Sequence, residues 1–442
     1  MKTGSILLKN YLSEHNAADI AAALAELSDR DLPLVFRILP KDEAADTFAY
    51  MESEARRKLI DSFSDRELRE VLDDLYLDDT VNLIEEMPAN VVSRILRNTD
   101  VKTRKNINEI LKYPDDSAGS IMTIEYVYLN KDMTISEALG HIRSVGVVKE
   151  TIYTCYVTQR RRLVGVVSVL NLLTSDPETK IEDIMESNVI YVHTNDDQEF
   201  VAKQIEKYDF IAIPVVDNEE RLVGIITFDD VIDVIHKEAT EDISKMAGIT
   251  PNEHSYFNTS VFQHAKSRIG WLLFLMLSAT LTGMVINHYE HLMVTVPLLY
   301  SFVPMLTGTG GNSGSQAATL IIRGLSMDEI KFKDIFRVMF KEFRVALLVS
   351  SVLAVVNGVR IAITYWNNDD GINSILLGTA IAISIVFVVV LAKTVGCVLP
   401  MLAKKLKLDP AIMAAPLIST IVDACAVFIY CNVCILIFDN IL

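Results

Sequence analysis

The sequence predicts a multidomain membrane protein: a soluble α-helical domain, a tandem α/β repeat, a connecting helix and a transmembrane domain of five helices. Charge and hydropathy separate along the 442 residues. Residues 1–260 hold 48 acidic and 28 basic side chains, a balance of −20, whereas residues 261–442 hold 10 and 13, a balance of +3. Nearly all long apolar runs lie in the second part, and the mean hydropathy of the whole chain is +0.30. The two halves therefore belong in different solvents.

The first 118 residues are predicted to form an acidic domain of short amphipathic helices. Turn signals such as Leu39-Pro40-Lys41-Asp42 separate these helices, and similar phrases recur at Ala17-Ala18-Asp19-Ile20 and Ala44-Ala45-Asp46-Thr47. Such recurrence is typical of stacked helical pairs, here a small α-superhelix. No secretory apolar region follows Met1-Lys2-Thr3-Gly4, so this domain is expected in the cytosol.

Residues 120–236 contain a clearer internal repeat, divided here into 119–182 and 183–237. Ile121-Met122-Thr123 in the first copy corresponds to Ile184-Met185-Glu186 in the second, and residues 163–171 correspond to residues 222–230. Each copy ends as a β-branched strand, a tight turn and a helix start, with Ser168 or Thr227 placed to cap the helix. Helices are predicted over Thr134–Ser144 and Asp196–Lys207.

This repeat resembles a tandem pair of CBS domains. Such pairs commonly bind adenine nucleotides through a Thr or Ser and an Asp three residues later. The resemblance therefore implies an ATP site at Thr227 and Asp230 in the second copy, whereas the first copy departs from the pattern with Ser168 and Asn171. A CBS pair that serves only as a dimerisation scaffold is the alternative.

Five apolar stretches are long enough to cross a bilayer, which takes about 20 residues. They lie at 269–286, 294–322, 345–363, 375–399 and 411–438, within a transmembrane domain of residues 267–442 that follows a connecting helix at 238–266. Lys and Arg precede the first stretch and occupy the second and fourth loops, and the other two loops have none. This alternation places the N-terminus inside and the tail Asp439–Leu442 outside.

The second apolar stretch contains an unusual segment, Pro304–Gln316, rich in glycine and amide side chains. Glycine costs about 1 kcal/mol per helical position relative to alanine, so the presence of several glycines in a predicted helix requires an explanation. Close contact between helices is one reason. Bent backbone whose carbonyls face a wet cavity is the other.

The fifth stretch contains Asp423, the only acidic residue well inside a predicted span. Thr420, Ser419 and Pro416 precede it by three, four and seven residues, so all four lie on one helical face. An intramembrane carboxylate is costly and usually functional, and this face is expected to line water. The alternative is an ion pair between Asp423 and either Arg360 or Lys393.

Oxygen ligands of this kind suit a hard cation. Mg²⁺ keeps several of its waters and usually contacts one or two carboxylates. Because one carboxylate per chain is few for a divalent ion, a two-fold dimer with its axis along the pore would supply two.

The segment Pro304–Gln316, the triplet Arg323-Gly324-Leu325 and the run Ala415–Asp423 resemble the MgtE family of Mg²⁺ channels, and the domain order matches over essentially the whole chain. The resemblance implies a Mg²⁺-selective channel or transporter for uptake across the cell membrane, a homodimer that is neither an enzyme nor a nucleic-acid binder. Some relatives have Asn where Ala415 stands. The implied pore residues are Asp423, Thr420, Ser419, Pro416, Ala415, Gly311 and Asn312.

The same resemblance implies that cytosolic Mg²⁺ closes the pore by binding acidic residues of the N-domain, the CBS pair and a plug helix. Independently of the resemblance, the negative charge of residues 1–260 opposes compaction through self-repulsion. Divalent ions that bridge carboxylates would favour the compact state. A merely solvated acidic surface is the alternative. The implied regulatory residues are Asp74, Asp78, Asp197, Glu199, Asp209, Asp230, Asp233, Glu238, Glu241, Asp242 and Asp409.

Three other functions are weaker candidates. An ion-coupled divalent exchanger or exporter would normally show more ionisable residues inside the spans. A membrane enzyme would need a nucleophile and base or a hydrolytic metal site, and the predicted spans contain no histidine. A chloride channel with CBS domains conflicts with the acidic pore residue and the domain order. Cys431 and Cys434 have C-x-x-C spacing without a second pair of ligands, which does not indicate a zinc site.

Overall fold

The computed structural model describes residues 14–146, 149–252, 256–257, 259–365, 374–413 and 415–438. Its contacts divide the chain into two compact units, Met1–His236 and Lys237–Leu442. Several predictions fall on residues that the structure does not describe: residues 1–13, residues 253–255 and 258 of the predicted connecting helix, most of the predicted loop 366–374, the side chain of Ala415 and the tail 439–442.

In the described part of the first unit, residues 14–110 form eight short helices around one apolar core. Phe36, Phe48 and Phe63 meet at its centre, with ring centroids 5.5–6.5 Å apart. Ser64 and Glu67 form a reciprocal capping box at the start of the helix Asp65–Leu72, which satisfies amides that a helix end leaves unpaired. The helices are α1 (Ala17–Ala25), α2 (Leu32–Phe36), α3 (Lys41–Ala49), α4 (Ser53–Ser62), α5 (Asp65–Leu72), α6 (Leu77–Glu86), α7 (Ala89–Asn98) and α8 (Val101–Ile110).

The predicted α/β repeat follows as two three-stranded sheets with the same topology. In each sheet the first strand pairs in parallel with the second, which pairs antiparallel with the third. The predicted helices before the second strands are α9 and α12, each within two residues of its expected start. The elements are β1 (Tyr128–Asn130), α9 (Ile135–Val145), β2 (Thr154–Gln159), β3 (Arg162–Ser168), α10 (Val169–Thr174), α11 (Ile181–Ile184), β4 (Val192–His193), α12 (Gln198–Tyr208), β5 (Ala212–Val216) and β6 (Leu222–Thr227).

The leading segment of each copy bonds to the last strand of the other copy. Thr123 and Ile225 exchange two backbone hydrogen bonds of 2.8 and 2.9 Å, and Val166 and Glu186 exchange two of 3.0 and 2.9 Å. The recurring Ile-Met phrase of the sequence is therefore the strand-like segment that crosses to the neighbouring copy.

This crossing explains the recurring glycine in the third strand of each copy. A Cβ at Gly224 would lie 2.6 Å from the Met122 sulfur, and a Cβ at Gly165 would lie 2.7 Å from the Met185 sulfur. Both distances are too short for real contacts. Each glycine therefore makes room for the methionine of the crossing segment.

Helix α13 (Phe228–Met246) connects the repeat to the second unit. The predicted connecting helix at 238–266 was wrong at both ends. The helix starts inside the second copy, and it stops because Gly248 adopts φ +69° and the Gly248 and Ile249 amides bond back to Lys245 and Ser244, a standard helix C-cap. A Cβ at Gly248 would collide with Trp271.

The second unit is a bundle of long helices whose bounds differ from the predicted spans. The second span begins at Val303 rather than 294, since Pro297 starts a separate 3₁₀ turn (Pro297–Phe302). The third helix begins ten residues before 345. The helices are α14 (Val261–His288), α15 (Glu290–Thr295), α16 (Val303–Ser326), α17 (Ile335–Thr364), α18 (Ser374–Lys405) and α19 (Ala415–Phe438), with further 3₁₀ turns at Phe332–Asp334 and Pro410–Met413.

Among the described residues, four helical segments are long and apolar enough to cross a bilayer: Val261–His288, Phe332–Thr364, Ser374–Lys405 and Pro410–Phe438. The remaining predicted span is α16, whose 24 residues cover about 36 Å at 1.5 Å per residue. Its glycines and amides lower its hydropathy. The count of five crossings, and with it the outside location of the C-terminus, therefore stays a prediction.

Candidate functional site

Helix α16 uses its glycines for close packing. The segment 304–316 is continuous α-helix, so the bent-backbone explanation was wrong and the close-contact explanation is confirmed. A Cβ at Gly310 would lie 2.7 Å from Val422 and 2.8 Å from Val388, and one at Gly314 would lie 2.7 Å from Ile418. These glycines let α16 lie directly against α18 and α19.

The predicted polar face of α19 lies at the edge of this packing. Pro416, Ser419, Thr420 and Asp423 are each half-buried, whereas Ile418 and Val422 are fully buried. A Cβ at Gly311 would lie 3.1 Å from the Ser419 hydroxyl oxygen. Gly311 is thus buried beside this face, and the Thr420 hydroxyl is engaged locally by donating to the Pro416 carbonyl at 3.0 Å.

The Asp423 carboxylate carries no hydrogen bond and no ion pair to any residue that the structure describes. Asn312, also predicted to line the pore, is exposed on α16. A carboxylate at bilayer depth with exposed surface and no protein partner can contact water or a cation.

Neither basic residue considered as a partner for Asp423 contacts it. Lys393 pairs with Glu342 at 3.3 Å, with side-chain exposures of 6% and 12%, and Arg360 donates to Asn357 at 3.2 Å. An acidic side chain outside the predicted spans lies in one of the long helices. Because α17 begins earlier than its hydropathy indicated, Glu342 lies within that helix.

A cluster of carboxylates in the first unit surrounds two predicted regulatory residues. Asp78 lies in the first turn of α6 and is buried, and Asp230 lies in the first turn of α13. Burial raises the pKa of both, and the Asp78 charge raises the pKa of Asp230 further. Burial and the charge of Asp230 raise the pKa of Asp79 to about 6. Burial and then Asp78 and Asp230 raise the pKa of Glu150 to about 8.

The sequence analysis missed three members of this cluster: Asp79, Glu125 and Glu150. One oxygen each of Glu125 and Glu150 is buried without a hydrogen-bond partner. Asp79 directly follows Asp78 on α6, whereas no local pattern marks Glu125 and Glu150, because they join the cluster only through packing between the helical domain and the repeat. In the described part of the chain, no three such side chains are already arranged to hold a metal. An ion here would keep waters and touch one or two carboxylates, as Mg²⁺ usually does.

Other predicted regulatory residues are not brought together in one chain. Asp197 and Asp209 lie at opposite ends of α12, an 11-residue helix about 16 Å long, so one chain does not bring these two side chains together. Glu199 instead pairs with Lys203 at 2.7 Å, and Asp74 pairs with Lys41 at 2.8 Å.

The remaining predicted residues lie along α13 and just before α19. Asp233 is exposed, and Glu238 and Asp242 are half-buried. Glu241 and Asp409 are brought together in the second unit, where both contact Lys245, at 2.5 and 2.7 Å.

The predicted nucleotide pair is in contact. The Thr227 hydroxyl donates to the Asp230 carboxylate at 2.6 Å. In the first copy, Ser168 instead accepts from the Asn171 amide at 3.1 Å, an ordinary helix cap.

The raised pKa values predict that the first unit loses stability as pH rises when divalent cations are absent. Carboxylates with a raised folded-state pKa favour the folded state below their unfolded pKa, near 4, and this advantage is lost as pH rises through about 6 to 8. Each pH unit in which one of these groups is ionised only in the unfolded chain costs about 1.4 kcal/mol. Calorimetry of the full chain in chelator at pH 5.5 and 8 should show a lower unfolding temperature for the first unit at pH 8.

Added Mg²⁺ should raise this unfolding temperature far more at pH 8 than at pH 5.5, because protonated carboxylates bind cations poorly. The assignment of this cluster as a Mg²⁺ site would be contradicted if the unfolding temperature were no lower at pH 8 than at pH 5.5. It would also be contradicted if Mg²⁺ raised the unfolding temperature equally at both pH values.

Comparison with known proteins gives matches in the same order along the chain. Residues 303–433 match the family model described as a divalent cation transporter, residues 15–116 match the MgtE intracellular N domain, and residues 118–178 and 181–237 match the CBS domain.

Whole-length relatives agree with these matches. The magnesium transporter MgtE of Thermus thermophilus is 36% identical over 96% of this chain and 94% of its own length. The Bacillus subtilis magnesium transporter MgtE is 32% identical over 95% and 94%. A crystal structure of the soluble part of a magnesium transporter, 32% identical, superposes with a TM-score of 0.51 over 54% of this chain and 94% of that one.

Proposed function

The chain belongs to the MgtE family of magnesium transporters, and from that premise we propose that it is a Mg²⁺-selective channel for Mg²⁺ uptake across the cell membrane, with a pore lined by Asp423. Proteins of this family are transporters rather than enzymes. The observation that supports the pore most directly is the Asp423 carboxylate, half-buried on a polar helical face without a partner in the described residues. The buried pairing of Lys393 with Glu342 leaves this carboxylate available to a cation.

The pore is proposed to form between two copies of the chain. In one chain the face of Asp423, Thr420 and Pro416 remains half-exposed, so a single bundle does not enclose it. Two copies related by a two-fold axis would place two carboxylates around one ion and balance its +2 charge. The close packing of α16, α18 and α19 behind this face would hold it rigid.

Cytosolic Mg²⁺ is proposed to close the channel through the carboxylate clusters. The raised pKa values of Asp78, Asp230 and Glu150 mean that ionising all of them together in the folded unit is unfavourable. A divalent ion relieves this repulsion and favours the packed arrangement. Such an ion shifts the gate only by its difference in affinity for the closed and open states.

The test is Mg²⁺ flux into proteoliposomes with soluble-face Mg²⁺ varied. We expect the native chain to conduct down the Mg²⁺ gradient and to close as soluble-face Mg²⁺ rises. The double variant D78N/D230N should conduct but need on the order of tenfold more Mg²⁺ to close, the usual scale for losing charged groups around a metal.

The matched control is D61N/D132N, which makes the same charge change at two exposed aspartates that have no ion pair among the described residues. It should close like the native chain. Equal shifts in both variants would mean that bulk charge, rather than the cluster, sets the Mg²⁺ response. Flux that requires a Na⁺ or H⁺ gradient would instead favour the ion-coupled exchanger.

Nucleotide binding at Thr227 and Asp230 stays a prediction. The two side chains are bonded to each other, and Asp230 is surrounded by other carboxylates, which would repel the phosphates of ATP unless a cation were also bound. ATP and Mg²⁺ are therefore proposed to bind this part of the repeat together.

A further inference from the structure

The last turn of α13 presents a lysine to two carboxylates. The Lys245 ammonium lies 2.5 Å from a Glu241 oxygen and 2.7 Å from an Asp409 oxygen. Glu241 is one turn earlier on the same helix, whereas Asp409 immediately precedes the turn that leads into α19. Although burial lowers it, the Asp409 and Glu241 carboxylates raise the pKa of Lys245 above its ordinary value overall. The lysine is therefore a fixed cation shared by two segments distant in sequence.

The surroundings hold this contact in place. The Asp409 carboxylate also accepts the Ala411 amide at 2.8 Å, which orients it toward Lys245. The next residue, Met246, packs on an apolar cluster that includes Ile418 and Val422 of α19. The end of α13 is thus attached to the helix that carries Asp423 by a charged contact and an apolar one.

We propose that Lys245 is an internal cation that holds the end of α13 against the start of α19 when no divalent ion is bound. Its ammonium occupies the Glu241 and Asp409 oxygens that a regulatory ion would use, so a divalent ion must displace Lys245 to bind both carboxylates. Without either cation, the two carboxylates would repel each other and the end of α13 would separate from α19. The expected effect of Lys245 on Mg²⁺ flux rests on the proposed function. The role of Lys245 in holding α13 against α19 rests on the observed contact alone.

The test replaces Lys245 by methionine, which keeps the unbranched apolar stem of the side chain and removes its charge. Amide hydrogen exchange of residues 237–246 in the full chain should be slow in the native protein without divalent ions. In K245M it should become faster in chelator and slow again when Mg²⁺ is added. In proteoliposomes, K245M should raise Mg²⁺ flux at the lowest soluble-face Mg²⁺ by about two- to fivefold, the factor expected for losing a partly exposed ion pair.

Two controls make the result specific. K245R keeps the charge and should behave as the native chain. K333M removes the charge of an exposed lysine that has no ion pair in the described part of the second unit, and it should have no effect. Should K245M not fold, D409N tests the same contact, since asparagine can still accept the Ala411 amide.

The outcomes separate the two proposals. Slow exchange of residues 237–246 in metal-free K245M, equal to that of the native chain, would overturn the role of Lys245 whatever the flux. A native chain that conducts no Mg²⁺ would overturn the proposed channel, and the exchange measurement would still decide whether Lys245 holds α13. Faster exchange in chelator that Mg²⁺ does not reverse would show that Lys245 only supports packing, against the proposal.

Discussion

Asp423→Asn is expected to reduce Mg²⁺ flux through the reconstituted channel by on the order of tenfold or more. Asparagine keeps the shape of the side chain and an oxygen ligand but removes the charge that offsets the cost of stripping water from a divalent ion. Since two copies would each lose one charge, the proposed site would change from −2 to neutral. Uptake of Mg²⁺ into proteoliposomes, followed with a fluorescent indicator, measures the effect.

Cys425→Ala is the matched control, since Cys425 is two residues further along α19 and, at 100° per residue, points away from Asp423. It should conduct as the native chain does. Unchanged Mg²⁺ flux in D423N would place the pore elsewhere, whereas an equal loss in C425A would indicate damage to the helix rather than to the ion site.

Breaking the buried pair between Glu342 and Lys393 is expected to destabilise the second unit by about 3–5 kcal/mol. Each side chain is nearly enclosed between α17 and α18, so either single variant, E342Q or K393M, leaves a buried charge without its partner. The double variant E342Q/K393M removes both charges and should recover most of the loss. The fraction of detergent-solubilised protein that stays monodisperse after heating gives the ranking.

The ranking itself is the discriminating result. If the double variant is as unstable as the singles, the residues contribute through packing volume rather than through charge. If the single variants match the native chain, the pair is hydrated and the helices do not enclose it. Flux need not change in any of these proteins, because the pair does not lie on the polar face of Asp423.

Local sequence patterns predicted the elements that depend on local chemistry. The repeat between 120 and 236, the helices α9 and α12, and the polar face of α19 all follow from periodicity and composition over a few residues. Helix ends were less predictable. Hydropathy placed the start of the third span at 345, whereas the helix starts at Ile335, so Glu342 was not recognised as part of it.

Groups assembled by packing were harder to predict than single positions. Asp78 and Asp230 were expected by resemblance, but Glu125 and Glu150 join them only because the helical domain packs on the repeat. Asp197 and Asp209 were also expected by resemblance. They lie at opposite ends of α12, and their binding of Mg²⁺ stays a prediction.

The exchange of leading segments between the two α/β copies makes the pair a single cooperative unit. Since Thr123 completes the sheet of the second copy and Glu186 completes that of the first, neither copy contains all of its own edge. A disturbance felt by one sheet therefore reaches the other through backbone hydrogen bonds rather than through flexible side chains. The pair would unfold together and transmit a ligand's effect as one body, so in any chimera it must be transplanted whole, from residue 118 to residue 237.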